Sequence, residues 1–397
     1  MNNPISRLDQ VQKKPCRLIL GLMSGTSLDG LDIALCSFEG YGMDTCVSLK
    51  QFKTQSYAKD FKDRIRAVFS KRTVDLEQLT ILNALIGRKH AQLINQTLSE
   101  WGVRSDEVDL IASHGQTIYH APAHLHKISG MPNATFQIGD ADHIAVITGI
   151  ITVSDFRQKH IAAGGEGAPL AAYGDRLLFS SKQENRVLLN IGGIANFSFI
   201  PVKNLEKDFI STDAGPGNTL MDAFARHQFN IAYDKDSAIG RSGRVNSKLL
   251  KALLDHPFFS SPLPRTTGPE LFNLEYLFQA QQKSATTELS NEDIMAVLNR
   301  FSAEAIAQTV QSAVNGAEKF SIYASGGGIH NQLLLENLKD KFPAVDIKST
   351  DALGVKPDAK EAVLFAALAN ECIAPEGTVF SGKGMPDIRM GKISFPC

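Results

Sequence analysis

Asp213-Ala214-Gly215-Pro216-Gly217-Asn218 sets one carboxylate ahead of a glycine-proline turn and an asparagine suited to cap a helix from Thr219. Such a carboxylate has two readings. It complements a helix dipole, worth about 0.3–1 kcal/mol, or it is a general base held toward a ligand; the residues alone leave both open. Three glycine loops add a second chemistry, because glycine lets the backbone approach a ligand closely while successive N–H groups ring an anion. They are Gly25, Thr26, Ser27, Leu28, Asp29, Gly30, Leu31 and Asp32; Gly192 and Gly193; and Gly326, Gly327 and Gly328. The first suits the β- and γ-phosphates of ATP, with Asp29 or Asp32 holding Mg2+ through water, although any hairpin tip attracts Gly, Ser, Thr and Asp. It is not a Walker loop, since no Gly-Lys-Ser/Thr follows and a strand comes next.

These groups need rigid elements behind them. Arg17–Met23 and Leu31–Phe38 read as two strands of a hairpin carrying the first glycine loop. Arg186–Ile191 and Asn196–Ile200 repeat the device around Gly192 and Gly193, which points to a duplicated architecture. Between Asp75 and Trp101 the apolar residues recur at helical spacing until Gly102, with Gly87 a candidate break. Val108–Ser113 returns to strand, and His114, Gln116 and Thr117 follow at its end, where binding groups commonly sit. Ser290 with Asp293 opens a helix to about Ala313, Phe320–Ala324 is a short strand leading into Gly326, and Asn331 caps a helix to Asp340. A last helix spans about Asp358–Ile373, and residues 1–15 read as a polar tail. The domain change is expected near residues 152–165: a first domain over 1–155, a second over 156–372, and the segment 373–397 crossing back to the first.

A chain of 397 residues has room for two domains of ordinary size. Its 41 Lys and Arg against 42 Asp and Glu leave no basic excess to draw nucleic acid or an anionic membrane surface. No apolar run approaches the roughly 18–20 residues of a membrane span. Cys16, Cys36, Cys46, Cys372 and Cys397 are odd in number and never spaced C-x-x-C, so neither a disulfide framework nor a zinc site is indicated and a reducing cytoplasm fits.

The segments GLMSGTSLDGLDIAL, HGQTIYH, QIGD, SDFRQKHIAAGGEGAPL, LNIGGIAN, DAGPGNTLMDAF, PRTTGPELFN and ASGGGIHNQLL, in this order from about Leu18 to Ala369, resemble the motifs of the anhydro-N-acetylmuramic acid kinases. The resemblance implies an α/β chain with the two-domain actin-like fold shared by sugar kinases, Hsp70 and actin, its mixed-sheet core duplicated. It implies ATP with Mg2+, the small-molecule substrate 1,6-anhydro-N-acetylmuramic acid, the product N-acetylmuramic acid 6-phosphate, and a homodimer. It makes Asp213 the base, places the three glycine loops on ATP, and assigns His114, Gln116, Thr117, Gly167 and Glu361 to the sugar.

An anhydro sugar is an internal acetal whose O6 is tied up in the bridge, so water must open it before a phosphoryl group can be accepted. An ordinary inverting glycosidase uses a second carboxylic acid on the leaving oxygen; here the phosphoryl group takes that place and one carboxylate suffices. Two alternatives stay open at this point: an actin-like kinase of another sugar or small acid, and an actin-like ATPase without a phosphoryl acceptor. Three departures from the family pattern bear on substrate contacts: Ala214 where threonine is usual, Glu166 where glutamine is common, and Lys356-Pro357-Asp358-Ala359-Lys360-Glu361 in place of a more acidic run. Asp155 with Arg157 reads as a structural salt bridge.

Overall fold

The computed structural model describes residues 3–25, 28–168, 170–202, 209–316, 319–375 and 388–397. It divides into two compact units, Met1–Phe179 with Gly354–Cys397, and Ser180–Leu353. The first is built on strands β1 (Cys16–Ser24), β2 (Gly30–Glu39), β3 (Cys46–Ser56), β4 (Leu110–Ala121), β5 (Ala134–Ile138) and β6 (Thr152–Ser154). The second carries β7 (Asn185–Ile191), β8 (Ile194–Ile200), β9 (Ile210–Pro216), β10 (Phe320–Ser325) and β11 (Ile347–Ser349); β12 (Lys392–Ser394) returns to the first. The sheet orders are β12-β6-β4-β1-β2-β3, with β5 on β4, and β11-β10-β7-β8-β9.

The two sheets share one plan. In each, an antiparallel three-strand meander (β1-β2-β3, β7-β8-β9) is extended from its first strand by two parallel strands (β4-β6, β10-β11). Parallel neighbours require crossover connections, and helices supply them: Leu76–Trp101 before β4 and Ala141–Thr148 before β6, Asn291–Val314 before β10 and Gln332–Lys341 before β11. Duplication, inferred from two glycine-tipped hairpins, is therefore a property of the whole sheet topology.

Local chemistry sets the element ends. Asp75 accepts from the Gln78 amide at 3.1 Å to start the long helix, and Gly102, at φ 66°, ends it in the left-handed region. Gly87 does not break this helix. A Cβ there would lie 2.4 Å from the Asp140 carbonyl oxygen, so the glycine admits a neighbouring segment. The expected N-terminal tail is a helix, Pro4–Lys13, with Val11 buried.

The units divide elsewhere than at 155/156. The Lys360–Cys372 helix lies on β1, where a Cβ on Gly21 would come 1.9 Å from the Ala362 carbonyl oxygen, and the Ala171–Phe179 helix lies on it in turn, with Leu364 filling the space over Gly174. That close packing puts 156–179 and 354–372 in the first unit, where the sequence reading had them in the second. No helix among the described residues is long and apolar enough to cross a membrane.

Candidate active-site residues on the two units

On the first unit, His114, Gln116 and Thr117 lie within β4 rather than after it, where the strand carries register shifts against β1 and β5. His114 is buried and neutral: desolvation, helped by the Arg157 charge, lowers its pKa to about 3. Its Nε2 accepts from Arg157 Nε at 3.1 Å. Arg157 also donates to the Gly167 carbonyl at 2.7 Å, while the Gly167 amide donates to His160 Nδ1 at 2.8 Å. Gly167 sits at φ 81°, a conformation that L side chains rarely adopt. Arg157 thus ties β4 to the Gly165–Gly167 turn. It does not pair with Asp155, whose carboxylate takes Lys392 Nζ at 2.6 Å.

Gln116 joins this cluster to the first glycine loop. Its Oε1 accepts from Ser24 Oγ at 2.6 Å and its Nε2 reaches the Gly25 carbonyl at 3.4 Å. Ser24 continues to Tyr57 at 2.8 Å and Tyr57 to His90 at 2.9 Å, a buried polar chain anchored in the Leu76–Trp101 helix. Thr117 Oγ1 accepts from Gln137 at 3.2 Å. Leu28 and Leu31 are core residues, so only their backbone is available to a ligand; Leu28 stands at φ 60°. The Asp29 carbonyl accepts from the Tyr57 amide, a Cβ on Gly30 would meet the Gln55 carbonyl at 2.4 Å, and Asp32 accepts from Thr54 at 2.5 Å. Thr26 and Ser27 lie outside the described residues.

Asp32 and Glu361 both hold a proton more readily than an ordinary carboxylate. Burial, then the charges of Asp358 and Asp29, push the Asp32 carboxyl up; desolvation, then Asp32, push Glu361 up, with Arg157 and Lys360 opposing. Glu361 is nonetheless reachable from solvent. No cluster of three Asp, Glu, His or Cys side chains among the described residues forms a metal-ligand set. Glu166 pairs with His124 at 3.0 Å, both exposed, so its carboxylate faces solvent.

On the second unit, Asp213 stands in β9 opposite Asn196, at a shift of register. Its amide donates to the Arg265 carbonyl at 3.0 Å, and its Oδ2 accepts from the Thr267 amide at 2.8 Å. Oδ1 has no hydrogen-bond partner among the described residues. Burial raises the proton affinity of this carboxyl, the Thr267 amide lowers it, and Glu270 raises it again. The Gly192 and Gly193 carbonyls accept from the amides of Gly217, Asn218 and Thr219 at 2.8–3.0 Å, which docks the second hairpin on the start of the Thr219–Phe229 helix. Asn218 precedes that helix without the side-chain capping bond expected of it, its own backbone lying in the right-handed helical region rather than the extended one usual for a capping residue. No turn or loop hydrogen bond among the described residues uses the amides of Gly192 or Gly193. Ala214 is fully buried. Gly326 and Gly328 press on β7, with Cβ positions 2.6 Å from Asn190 Oδ1 and 2.2 Å from Ile191 Cγ2, whereas nothing lies within 4 Å of one on Gly327.

The structure thus links His114 and Gly167 through Arg157, and Gln116 to Gly25, on one unit, where Glu361 feels the charges of Arg157 and Asp32. On the other it links Asp213, Gly192 and Gly193 through the strand and helix they share. Sequence reasoning missed Arg157 as the link and gave no role to Arg265 and Thr267, though PRTTGPELFN was the signal available.

A sheet plan used twice, with a glycine hairpin at the head of each copy and a half-buried carboxylate in one, defines a two-unit α/β phosphotransferase. The family model for anhydro-N-acetylmuramic acid kinase matches residues 17–384. Relatives so named include one from Pseudoalteromonas atlantica, 55% identical with all of both chains covered, and one from Pseudoalteromonas translucida, 53% identical over the same share. The chain belongs to the anhydro-N-acetylmuramic acid kinase family. It is a kinase with an alcohol acceptor, and so uses ATP. Among solved structures, the activator of the 2-hydroxyisocaproyl-CoA dehydratase from Clostridium difficile is similar at a TM-score of 0.39 and 12% identity, covering 90% of this chain and 95% of that one.

Proposed function

We propose that the chain opens the 1,6-anhydro ring of 1,6-anhydro-N-acetylmuramic acid with water and phosphorylates the freed O6 from ATP, giving N-acetylmuramic acid 6-phosphate and ADP in the recycling of cell-wall peptidoglycan. Asp213 takes a proton from water as the water oxygen bonds to C1. The C1–O6 bond breaks with its electron pair on O6, O6 bonds to the γ-phosphorus, and the bond to the β-phosphate oxygen breaks to release ADP. The observation that carries this reading is the Asp213 carboxylate, anchored through Oδ2 and open at Oδ1, in surroundings that raise its affinity for a proton.

His114, Gln116, Thr117, Gly167 and Glu361 hold the sugar in this reading, His114 as a neutral group whose orientation Arg157 fixes. The loop from Gly25 to Asp32, the Gly192 and Gly193 amides and the Gly326–Gly328 turn hold ATP. The carboxylates suit a hydrated Mg2+, which keeps its waters and needs only one or two acids beside the phosphates: Asp32, near Asp29 and Asp358, fits that demand, and the ion would neutralise charge on the β- and γ-oxygens. The test is Asp213→Asn. Turnover should fall about 10^2- to 10^4-fold while calorimetry still detects ATP and sugar, and near-native turnover refutes the base. With the native protein, oxygen from labelled water should appear at C1 of the product; ATP hydrolysis without sugar phosphate would support an ATPase instead.

A further inference from the structure

We propose that Arg265 is a positioning residue for Asp213, acting through the backbone of Arg265–Thr267 to hold one carboxylate oxygen and leave the other open to water. The inference rests on Asp213 as the base. The 265–267 segment meets β9 at four points: Asp213 N–H to the Arg265 carbonyl at 3.0 Å, Arg265 N–H to Thr212 Oγ1 at 3.0 Å, Thr212 Oγ1 to the Arg265 carbonyl at 3.2 Å, and Thr267 N–H to Asp213 Oδ2 at 2.8 Å. Only the last touches the carboxylate. The other three fix the segment that delivers it.

The Arg265 side chain anchors that segment. Nη1 donates to the carbonyls of Phe258, Phe259 and Ser261 at 2.7, 2.9 and 3.3 Å, and Nη2 donates to Thr309 Oγ1 at 2.7 Å. The guanidinium also lies 4.4 Å from the Phe258 ring centre. Thr309, on the Asn291–Val314 helix, has its hydroxyl within 3.3 Å of the Ala214 carbonyl, so the anchor returns to the residue after Asp213. Among the described residues no carboxylate pairs with this arginine. Its two terminal nitrogens donate to neutral oxygens in two directions while Nε, buried, makes no hydrogen bond among the described residues, and the compact ammonium of lysine cannot reproduce that planar fork. Displacing a reacting group by about 1 Å costs on the order of 10^2 in rate.

Steady-state kinetics on Arg265→Lys and Arg265→Ala, with thermal unfolding of each, test the proposal. The expected result is a kcat about 10- to 100-fold lower with the sugar KM within about threefold of native, in protein folded at the assay temperature, and partial recovery of the alanine variant by guanidinium. Native kcat in Arg265→Lys, a loss confined to KM, or a loss that tracks the unfolded fraction overturns it. If neither variant folds, Thr309→Val removes the Nη2 acceptor together with that hydroxyl's bonds to the Ala214 and Ala305 carbonyls while leaving Arg265 in place, and an unchanged kcat there overturns the proposal. Asp213→Asn keeps the two readings apart: an active Asp213→Asn removes the base itself, whereas an inactive one beside a native-like Arg265→Lys removes only the anchor.

Discussion

The proposed base, Asp213, can act only while it is ionised, and its neighbours pull its proton affinity in opposite directions. Burial and Glu270 raise it; the Thr267 amide, bonded to Oδ2, lowers it. Glu270 is held nearby by the chain itself, since its carboxylate occupies the space over Gly268, 2.1 Å from where a Cβ would stand. Glu270→Gln removes the like charge and keeps the shape, so the acid limb of the kcat–pH profile should move to lower pH with little change in KM. A limb that stays in place, or moves upward, ends the electrostatic role assigned to Glu270. Of these groups the sequence singled out only Asp213: the turn and helix that follow it drew attention to the carboxylate, and the family resemblance chose base over dipole partner. Thr267 and Arg265 lie 54 and 52 positions downstream, and Arg157 meets His114 across 43; local spacing carries no trace of such pairings. Asp155 and Arg157 misled for the converse reason: two positions apart at a helix start, they do not face one another.

Elements were legible where one face is buried. The Leu76–Trp101 and Asn291–Val314 helices announce themselves by period and caps, and β1, β2, β7 and β8 by apolar runs. The outer strand β3 was not, because Cys46–Ser56 is mostly solvent-facing, and β9 was not, because Ile210–Pro216 contains the glycine and proline of a turn. The third glycine loop was legible as a unit, yet its glycines differ. Gly328→Ala drives a methyl into Ile191 and should cost about 1–3 kcal/mol in chemical denaturation. Gly327→Ala meets nothing, so its unfolding midpoint should match native; if this turn lies against the nucleotide, the KM for ATP should rise. A native KM in Gly327→Ala would detach the turn from ATP, and a native midpoint in Gly328→Ala would contradict the packing.

At the scale of the molecule, duplication was readable from two hairpins, while the boundary between units was not, because the contacts that assign 156–179 and 354–372 to the first sheet are made by Gly21 and Gly174 with a helix more than 180 residues downstream. That unit also buries three histidines, His90, His114 and His160, each with its proton affinity lowered, and the shifts of His90 and His114 are the large ones. Burial lowers His90 to about 4, and burial with the Arg157 charge lowers His114 to about 3, from an ordinary 6.5. Above pH 6.5 both are neutral folded and unfolded, and neither makes stability depend on pH. As pH falls through 6.5 the unfolded chain takes up protons that the folded unit refuses, so stability present above that pH is progressively lost down to about 4 for His90 and about 3 for His114, at up to about 1.4 kcal/mol per pH unit per proton. Asp32, Asp213 and Glu361 have raised proton affinities and therefore act oppositely, gaining stability on acidification, but only as the carboxylate range is approached. The histidine contribution should thus stand clear just below pH 6.5: denaturation midpoints fall with pH there, and His90→Gln, which removes one of these protons, shows a shallower fall. Midpoints that stay level through that window, or a slope that His90→Gln leaves unchanged, would mean that these histidines titrate in the folded protein as freely as they do in water.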